Sequence, residues 1–186
     1  MTGREGEMIA SEGLTMKDDA TIGGGMVSRS FDSEGFPSKA ITVIEKGRFT
    51  GFLHNLETSK MMGVESTGHA LRDYRVEPIV YPSNVVIEHE KMVPLQKLIE
   101  ETDSGLMAQG VIGTYSSDYV TGDFSVSLDE CSLIETGDIT RVKNVSIGGN
   151  IINLLRSIEC VSNERRQCGH FILPFLKICQ PLLLHV

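Results

Sequence analysis

Tryptophan is absent, and aromatics make up only 6% of the 186 residues. The aromatic share of any core is therefore modest. No stretch is built to span a bilayer. The most apolar run, Phe171 to Val186, is interrupted by Pro174, Lys177, Gln180 and Pro181, short of the ~20 apolar residues a spanning helix needs. The opening "MTGREGEMIASEG" has no apolar core segment, so no secretory signal is expected. Basic runs are missing too: Arg165-Arg166 is the only adjacent basic pair, and the net charge is −8. Nucleic acid is bound mainly through Lys and Arg that displace counterions. An acidic chain without a basic stripe is not expected to bind it. Cysteine is sparse, four residues at irregular spacing, and without an export signal the expectation is reduced thiols in the cytoplasm. Neither a phosphate-cradling G-x-x-x-x-G-K-[ST] nor a G-x-S-x-G serine elbow occurs.

What is present is glycine, 19 residues, with a hydrophobic content of 40% and a charged content of 23%. These proportions and this length describe one ordinary folded domain, or at most two small ones, rather than a disordered chain. Residues 1–38 read as loops around short extended pieces, notably "DDATIGGG" and "FDSEGFPS". "SKAITVIEKGRFTGFLH" reads as a hairpin turning at Lys46-Gly47, and "CSLIETGDITRV" as another turning at Thr136-Gly137. Both carry Ile-Glu-x-Gly, from Ile44 and from Ile134, with the glycine expected in a three-to-five-residue loop.

Three short helices are predicted. One begins at Asn55 as N-cap and stops at Gly63. Another has Pro94 near its first turn, with Leu95, Leu98 and Ile99 on one face and Gly105 past its end. A third has Asn150 as N-cap, with Ile151, Leu154, Leu155 and Ile158 at helical spacing. Their apolar stripes are expected to face a core. Tyr119 to Leu128 alternates apolar and polar residues, the period of a half-buried strand. The fold class predicted is α+β: strand-rich, with a large, mostly antiparallel sheet and a few short helices.

Candidate chemistry is thin. His89-Glu90 opens a zinc-helix pattern, but no second histidine follows and Pro94 interrupts. Glu65 and His69 fit a longer-spaced variant, yet Val64 stands where the first ligand would be. Asp18, Asp19, Asp32 and Glu34 contain enough oxygen for a cation, but acids beside glycine usually form Asx turns. In "QCGHFILPFLKIC", Cys168 and His170 share a face if the stretch is one strand. A buried central strand holding a buried thiol beside a histidine is the expected state. A bridge between Cys168 and Cys179 would require the chain to reverse near Pro174.

The ordered set "DDATIGGG", "FDSEGFPS", "GFLHNLETSKMMG", "STGHA", "GVIGTYSSDYVTGDFS", "GGNIINLLRSI" and "QCGHFILPFLKI" resembles the C-terminal half of the TldD/PmbA family, once called modulators of DNA gyrase. "STGHA" and "QCG…LP…KI" lean toward the PmbA (TldE) branch. The resemblance implies a subunit of a cytoplasmic heterodimer that processes peptides. In the TldD branch a metal is held by two histidines of an H-E-x-x-x-H helix in the N-terminal half and a cysteine of a C-terminal "CG" motif. Cys168-Gly169 matches that motif here, and the histidine helix is not in this sequence. "IGGG" replaces a usual Pro-Gly turn, Asn163 to Cys168 is shorter than in the family, and the ending after Ile178 differs.

The expectation is therefore a single domain over residues 1–186, with 179–186 a divergent tail that exposes apolar surface. It would be a PmbA-like subunit or fragment, itself non-catalytic and without a cofactor. Zinc would lie in a TldD-like partner subunit, and unfolded peptides would be the substrates. One alternative is an autonomous metal-dependent peptidase built on Cys168, His170 and a distant His69. The other is a structural oligomerisation domain. A second copy of the chain, in a homodimer, is the alternative to the TldD-like partner.

Overall fold

The computed structural model describes residues 3–113, 117–179 and 183–185. Among them, sixteen strands and three helices follow one another: β1 (Leu14–Asp19), β2 (Ala40–Glu45), β3 (Arg48–Phe49), α1 (Leu56–Met62), β4 (Ala70–Leu71), β5 (Ile79–Val80), β6 (Val85–His89), β7 (Met92–Val93), α2 (Leu95–Glu100), β8 (Ser104–Ala108), β9 (Val111–Ile112), β10 (Asp123–Leu128), β11 (Cys131–Glu135), β12 (Asp138–Val142), β13 (Val145–Asn150), α3 (Ile151–Arg156), β14 (Ile158–Cys168), β15 (Phe171–Ile178) and β16 (Leu183–His185). The chain is α+β and rich in strands, and its large sheet is mixed. It divides into two compact units. The first takes Met1–Met8, Glu12–Glu90 and Arg165–Pro174, and the second Ile9–Ser11, Lys91–Glu164 and Phe175–Val186.

The first unit is a sheet in the order β3-β2-β1-β6-β15. β1 pairs antiparallel with β2 and with β6, while β15 joins β6 in parallel through Phe171↔Val85 and Ile172↔Val86. Leu14, Ile44, Phe49, Val86 and Ile87 are buried there. The β2–β3 turn needs only two residues. Lys46 and Gly47 both have positive φ, 46° and 79°, the conformation of a two-residue type I′ hairpin. α1 begins with Asn55 in a full capping box with Thr58 and ends on Gly63 at φ 68°. Both ends follow the predicted signals.

In the second unit, β16-β13-β10-β9 and β12-β11-β8 form two smaller sheets, and β7 pairs in parallel with β14 at Val161↔Met92. Leu128, Cys131 and Val145 are packed by Leu106, Val142 and Ile147. The β11–β12 turn repeats the first hairpin, with Thr136 at φ 54° and Gly137 at φ 86°. The Ile-Glu-x-Gly echo is thus one turn geometry used twice, and the loops are shorter than the three to five residues expected. Ile44 and Ile134, which open the two copies, are both buried.

Several sequence expectations are corrected. The strand expected from Tyr119 starts only at Asp123. The Asp118 carboxylate accepts from the N–H groups of Val120 and Thr121, which bends the chain, and leaves Tyr119 and Val120 90% and 95% exposed. α2 stops at Glu100, and Gly105 lies inside β8 rather than closing the helix. α3 is capped by Asn150 as expected but has no fully buried residue, so its apolar stripe is only half covered. Leu183–His185 pairs antiparallel with β13, from Gly148 to Ser146. Part of the Gly110-to-Ser125 motif, residues 114–116, lies outside the described residues, as do 180–182 and 186.

Candidate functional site

The chemistry-bearing residues of the first unit meet behind the loops that carry "DDATIGGG", "FDSEGFPS" and "STGHA". Asp18, near the end of β1, is 2% exposed, and His69 precedes β4 and is fully buried. Nε2 of His69 lies 2.7 Å from Oδ1 of Asp18, and its Nδ1 lies 2.9 Å from Oγ1 of Thr67. Ser83 donates its hydroxyl to the same Asp18 oxygen and its N–H, at 2.8 Å, to the other. Thr67 also accepts from the His54 N–H at 2.6 Å. Gly68 makes this approach possible. Its φ is +74°, and a Cβ there would stand 2.6 Å from the Pro37 carbonyl oxygen.

Asp32 works in the same way one loop away. Its Oδ1 accepts from the N–H groups of Glu34 and Phe36, both at 2.9 Å, and its Oδ2 from Ala70 at 3.0 Å. Asn84 accepts from Val27 and donates to the Asp19 carbonyl and to Ser28. Asn55, besides capping α1, donates to the Pro78 carbonyl at 3.1 Å. Buried polar groups need such partners. These residues therefore fix loops, and none of them faces solvent. The acids weighed as a cation cage are spent on backbone N–H groups, a threonine, a serine and an imidazole. Asp19 and Asp32 make the expected Asx turns, accepting from Thr21 and Glu34.

The "QCGHFILPFLKIC" stretch is not one strand. β14 ends at Cys168, the chain turns over Gly169 at φ 59° and His170, and β15 begins at Phe171. Same-face alternation therefore does not relate Cys168 to His170. Cys168 is exposed, and all four cysteines are free thiols. The His170 ring lies 5.7 Å from the Tyr81 ring and 4.1 Å from that of Phe171, measured between centroids. The Tyr81 N–H donates to the His69 carbonyl at 2.9 Å, and the Val85 N–H to the His170 carbonyl at 2.8 Å. Tyr81 thus touches the neighbourhoods of both histidines.

The three residues named as metal candidates do not assemble into a zinc set. Both ring nitrogens of His69 are already in hydrogen bonds, which leaves no lone pair for a metal. Among the described residues, no group of three or more His, Cys, Asp or Glu side chains is placed to hold a metal ion. Cys168 keeps the exposure a ligand needs, but as one donor.

A second feature is a polar cleft of about 260 Å³, lined by Gly13, Thr15, Lys17, Thr42, Glu45, Lys46, Glu88, His89 and Glu90. Lys17 pairs with Glu88 at 2.8 Å and Lys46 with Glu90 at 2.9 Å. The Lys17 hydrogen bond, aided by Arg165, holds the Glu88 carboxyl below the usual range against the opposing effect of burial. Lys46 does the same for Glu90, and Glu90 in turn raises the Lys46 ammonium. Such mutually neutralised charges are what a solvated sheet face displays.

In the second unit, Cys179 donates to Glu159 at 3.0 Å. That bond pushes the thiol up and the carboxyl down. A raised thiol is a poor nucleophile.

Residues 1–180 match the family model described as the PmbA/TldA metallopeptidase C-terminal domain. The chain is 34% identical over 160 residues to a metalloprotease of Methanocaldococcus jannaschii, covering 86% of this chain and 35% of that protein. It is 27% identical over 181 residues to metalloprotease PmbA of Escherichia coli O157:H7, covering 93% of this chain and 37% of the relative. The crystal structure of TldE from Thermococcus kodakarensis superposes with a TM-score of 0.87 at 34% identity, over 95% of this chain and 40% of that one. The chain thus spans little more than a third of the length of these relatives.

Proposed function

The chain belongs to the PmbA/TldD metallopeptidase family through its C-terminal domain, and from that membership we propose that it serves as the PmbA-like, non-catalytic part of a two-component peptidase. Its partner is a TldD-like subunit that carries the zinc. The assembly works in the cytoplasm on unfolded peptides, including precursors undergoing maturation. The observation that carries this reading is the family match over residues 1–180. The geometry is consistent with it: His69, the histidine nearest to a family zinc pattern, is committed to Asp18 and Thr67.

Co-expression with a TldD-like protein of the same genome, followed by cleavage of casein or an unfolded peptide, tests the proposal. The two should co-purify, and cleavage should need both. A partner that cleaves equally well alone would sink it. Metal analysis of the isolated chain separates the rival reading. Stoichiometric zinc that disappears with activity in Cys168→Ala would make the chain a peptidase in its own right.

A further inference from the structure

Arg29 sits in the first unit between the Ile22–Gly25 turn and the short pairing of Phe31 with Pro37. Its backbone N–H donates to the Ala20 carbonyl at 2.9 Å, and its neighbour Ser30 accepts from the Ser38 N–H at 3.0 Å. The guanidinium is a different matter. Among the described residues, the buried side-chain nitrogen and oxygen atoms without a hydrogen-bond partner are Arg29 Nε, Arg29 Nη2 and Ser38 Oγ. All three lie within one step of the Ser30–Ser38 pairing. Arginine remains charged at any physiological pH, so two dry, unanswered guanidinium nitrogens are costly to keep.

The two unanswered nitrogens are also a matched pair. Nε–H and one N–H of Nη2 run side by side along one edge of the guanidinium, the edge that grips both oxygens of a single carboxylate. The acids of the neighbouring loops are engaged elsewhere. Asp18 serves His69 and Ser83, Asp32 serves three backbone N–H groups, Asp19 accepts from Thr21, and Glu34 accepts from the Leu56 N–H.

We propose that the Nε–Nη2 edge of Arg29 is a binding site for one carboxylate, supplied either by the C-terminus of a peptide or by an acidic side chain. Because the edge is closed to solvent, the ligand enters when the adjoining turn shifts. A Cβ added at Gly23 or Gly24 in that turn would meet nothing within 4 Å, so open space adjoins the turn there, whereas one at Gly25 would meet Ser28 and Asn84. The site stands independently of the proposed peptidase role, since it is built from this chain alone.

The test follows the Arg29 Nε–H resonance of the full chain during titration with three probes. N-acetyl-dialanine has a free C-terminal carboxylate, N-acetyl-aspartyl-alanine amide has only a side-chain carboxylate, and N-acetyl-dialanine amide has none. A shift with either acid and none with the neutral amide supports the site, and the tighter of the two acids names the source. Arg29→Lys, which keeps the charge but loses the fork, should weaken that binding about tenfold, followed in both proteins through the backbone amide resonances of Ser30 and Ser38. Equal shifts with acid and amide, no shift with any probe, or unchanged affinity in a folded Arg29→Lys protein would overturn the proposal. The wild-type resonance reports directly, so a variant that fails to fold leaves the test standing.

Discussion

Asp18, Asp32, Asn55, His69, Ser83 and Asn84 are all sealed from solvent in the first unit, whereas in the second Ser162 alone is a fully buried polar residue among those described. The second unit buries Val126, Leu128, Cys131, Ile134, Val145, Ile158 and Val161 instead. Two ways of holding a strand-rich unit therefore occur in one chain. The first unit has long loops with few large apolar side chains, and it ties them by directional bonds to carboxylates and amides. The second has short hairpins, and non-directional burial suffices. Directional bonds fix positions more finely, but each one lost leaves a buried group without a partner. The family-like motifs of the first unit are thus its internal fastenings.

The sharpest way to break this contrast is Asp18→Ala. It leaves the His69 ring and the Ser83 N–H without an acceptor in a sealed site. Each buried donor left without its acceptor costs roughly 1–3 kcal/mol, and here there is more than one, so the loss should be about 3 kcal/mol or more. Denaturant unfolding should show that loss, and hydrogen exchange should place it in the first unit. Asp18→Asn, of nearly the same shape, should still cost about 2 kcal/mol. A near-neutral Asp18→Asn would mean that shape, not charge and bonding, holds the loops.

Leu128 offers the matching test in the second unit. Leu128→Ala opens a cavity and should cost about 3 kcal/mol, while Leu128→Met keeps the volume and should cost less than about 1.5 kcal/mol. Chevron or equilibrium melts of both variants check this. If Leu128→Met proves as damaging as Asp18→Asn, the two units do not differ in kind.

This contrast also explains what could be read from the sequence. Hairpins and caps were legible because their signals are local. Lys46-Gly47 and Thr136-Gly137 name their turns, Asn55 and Asn150 name two helix starts, and the alternation from Phe124 to Leu128 names a strand. Asp18 and His69 were each visible as candidates for chemistry, but their bond spans 51 positions and no local pattern announces it. The same holds for Ser83, 65 positions from Asp18. The sequence places Cys168 on a buried strand because apolar residues on both faces hide the Gly169 turn. Alternation from Tyr119 to Thr121 likewise misled, since a single Asp118 side chain outweighed it.

Glycine substitutions give a smaller, paired measurement. Gly68 in the first unit and Gly137 in the second both hold positive φ, at 74° and 86°. A Cβ at Gly68 would stand 2.6 Å from the Pro37 carbonyl oxygen, whereas at Gly137 the nearest atom is 4.0 Å away. Gly137→Ala should therefore cost only the backbone strain, about 1 kcal/mol. Gly68→Ala adds a clash with main chain and should cost about 2 kcal/mol. Thermal melts that order the two variants the other way would show the Ser66–Ala70 loop yielding more readily than its bonding suggests.

The smallest effect is electrostatic, and it falls on the exposed face of the first unit. Lys17 donates to Glu88 at 2.8 Å and Arg165 adds a longer contact at 3.4 Å, which holds the Glu88 carboxyl below its ordinary value in the folded state. A carboxyl depressed by folding stabilises the fold at pH values above its unfolded pKa, about 4.3, and loses that contribution as pH falls through the folded value. Both side chains are more than a third exposed, 40% and 36%, so screening keeps the contribution to about 0.5 kcal/mol or less. Lys17→Met should flatten the acid limb of the stability profile by that amount and leave its slope around neutrality unchanged. High salt should flatten the wild type in the same way. The buried Asp18 site, being sealed, should be nearly indifferent to salt. If salt weakened Asp18-dependent stability as much as the Glu88 pair, the polar interior would be wet, and the distinction between fastening and surface would fail.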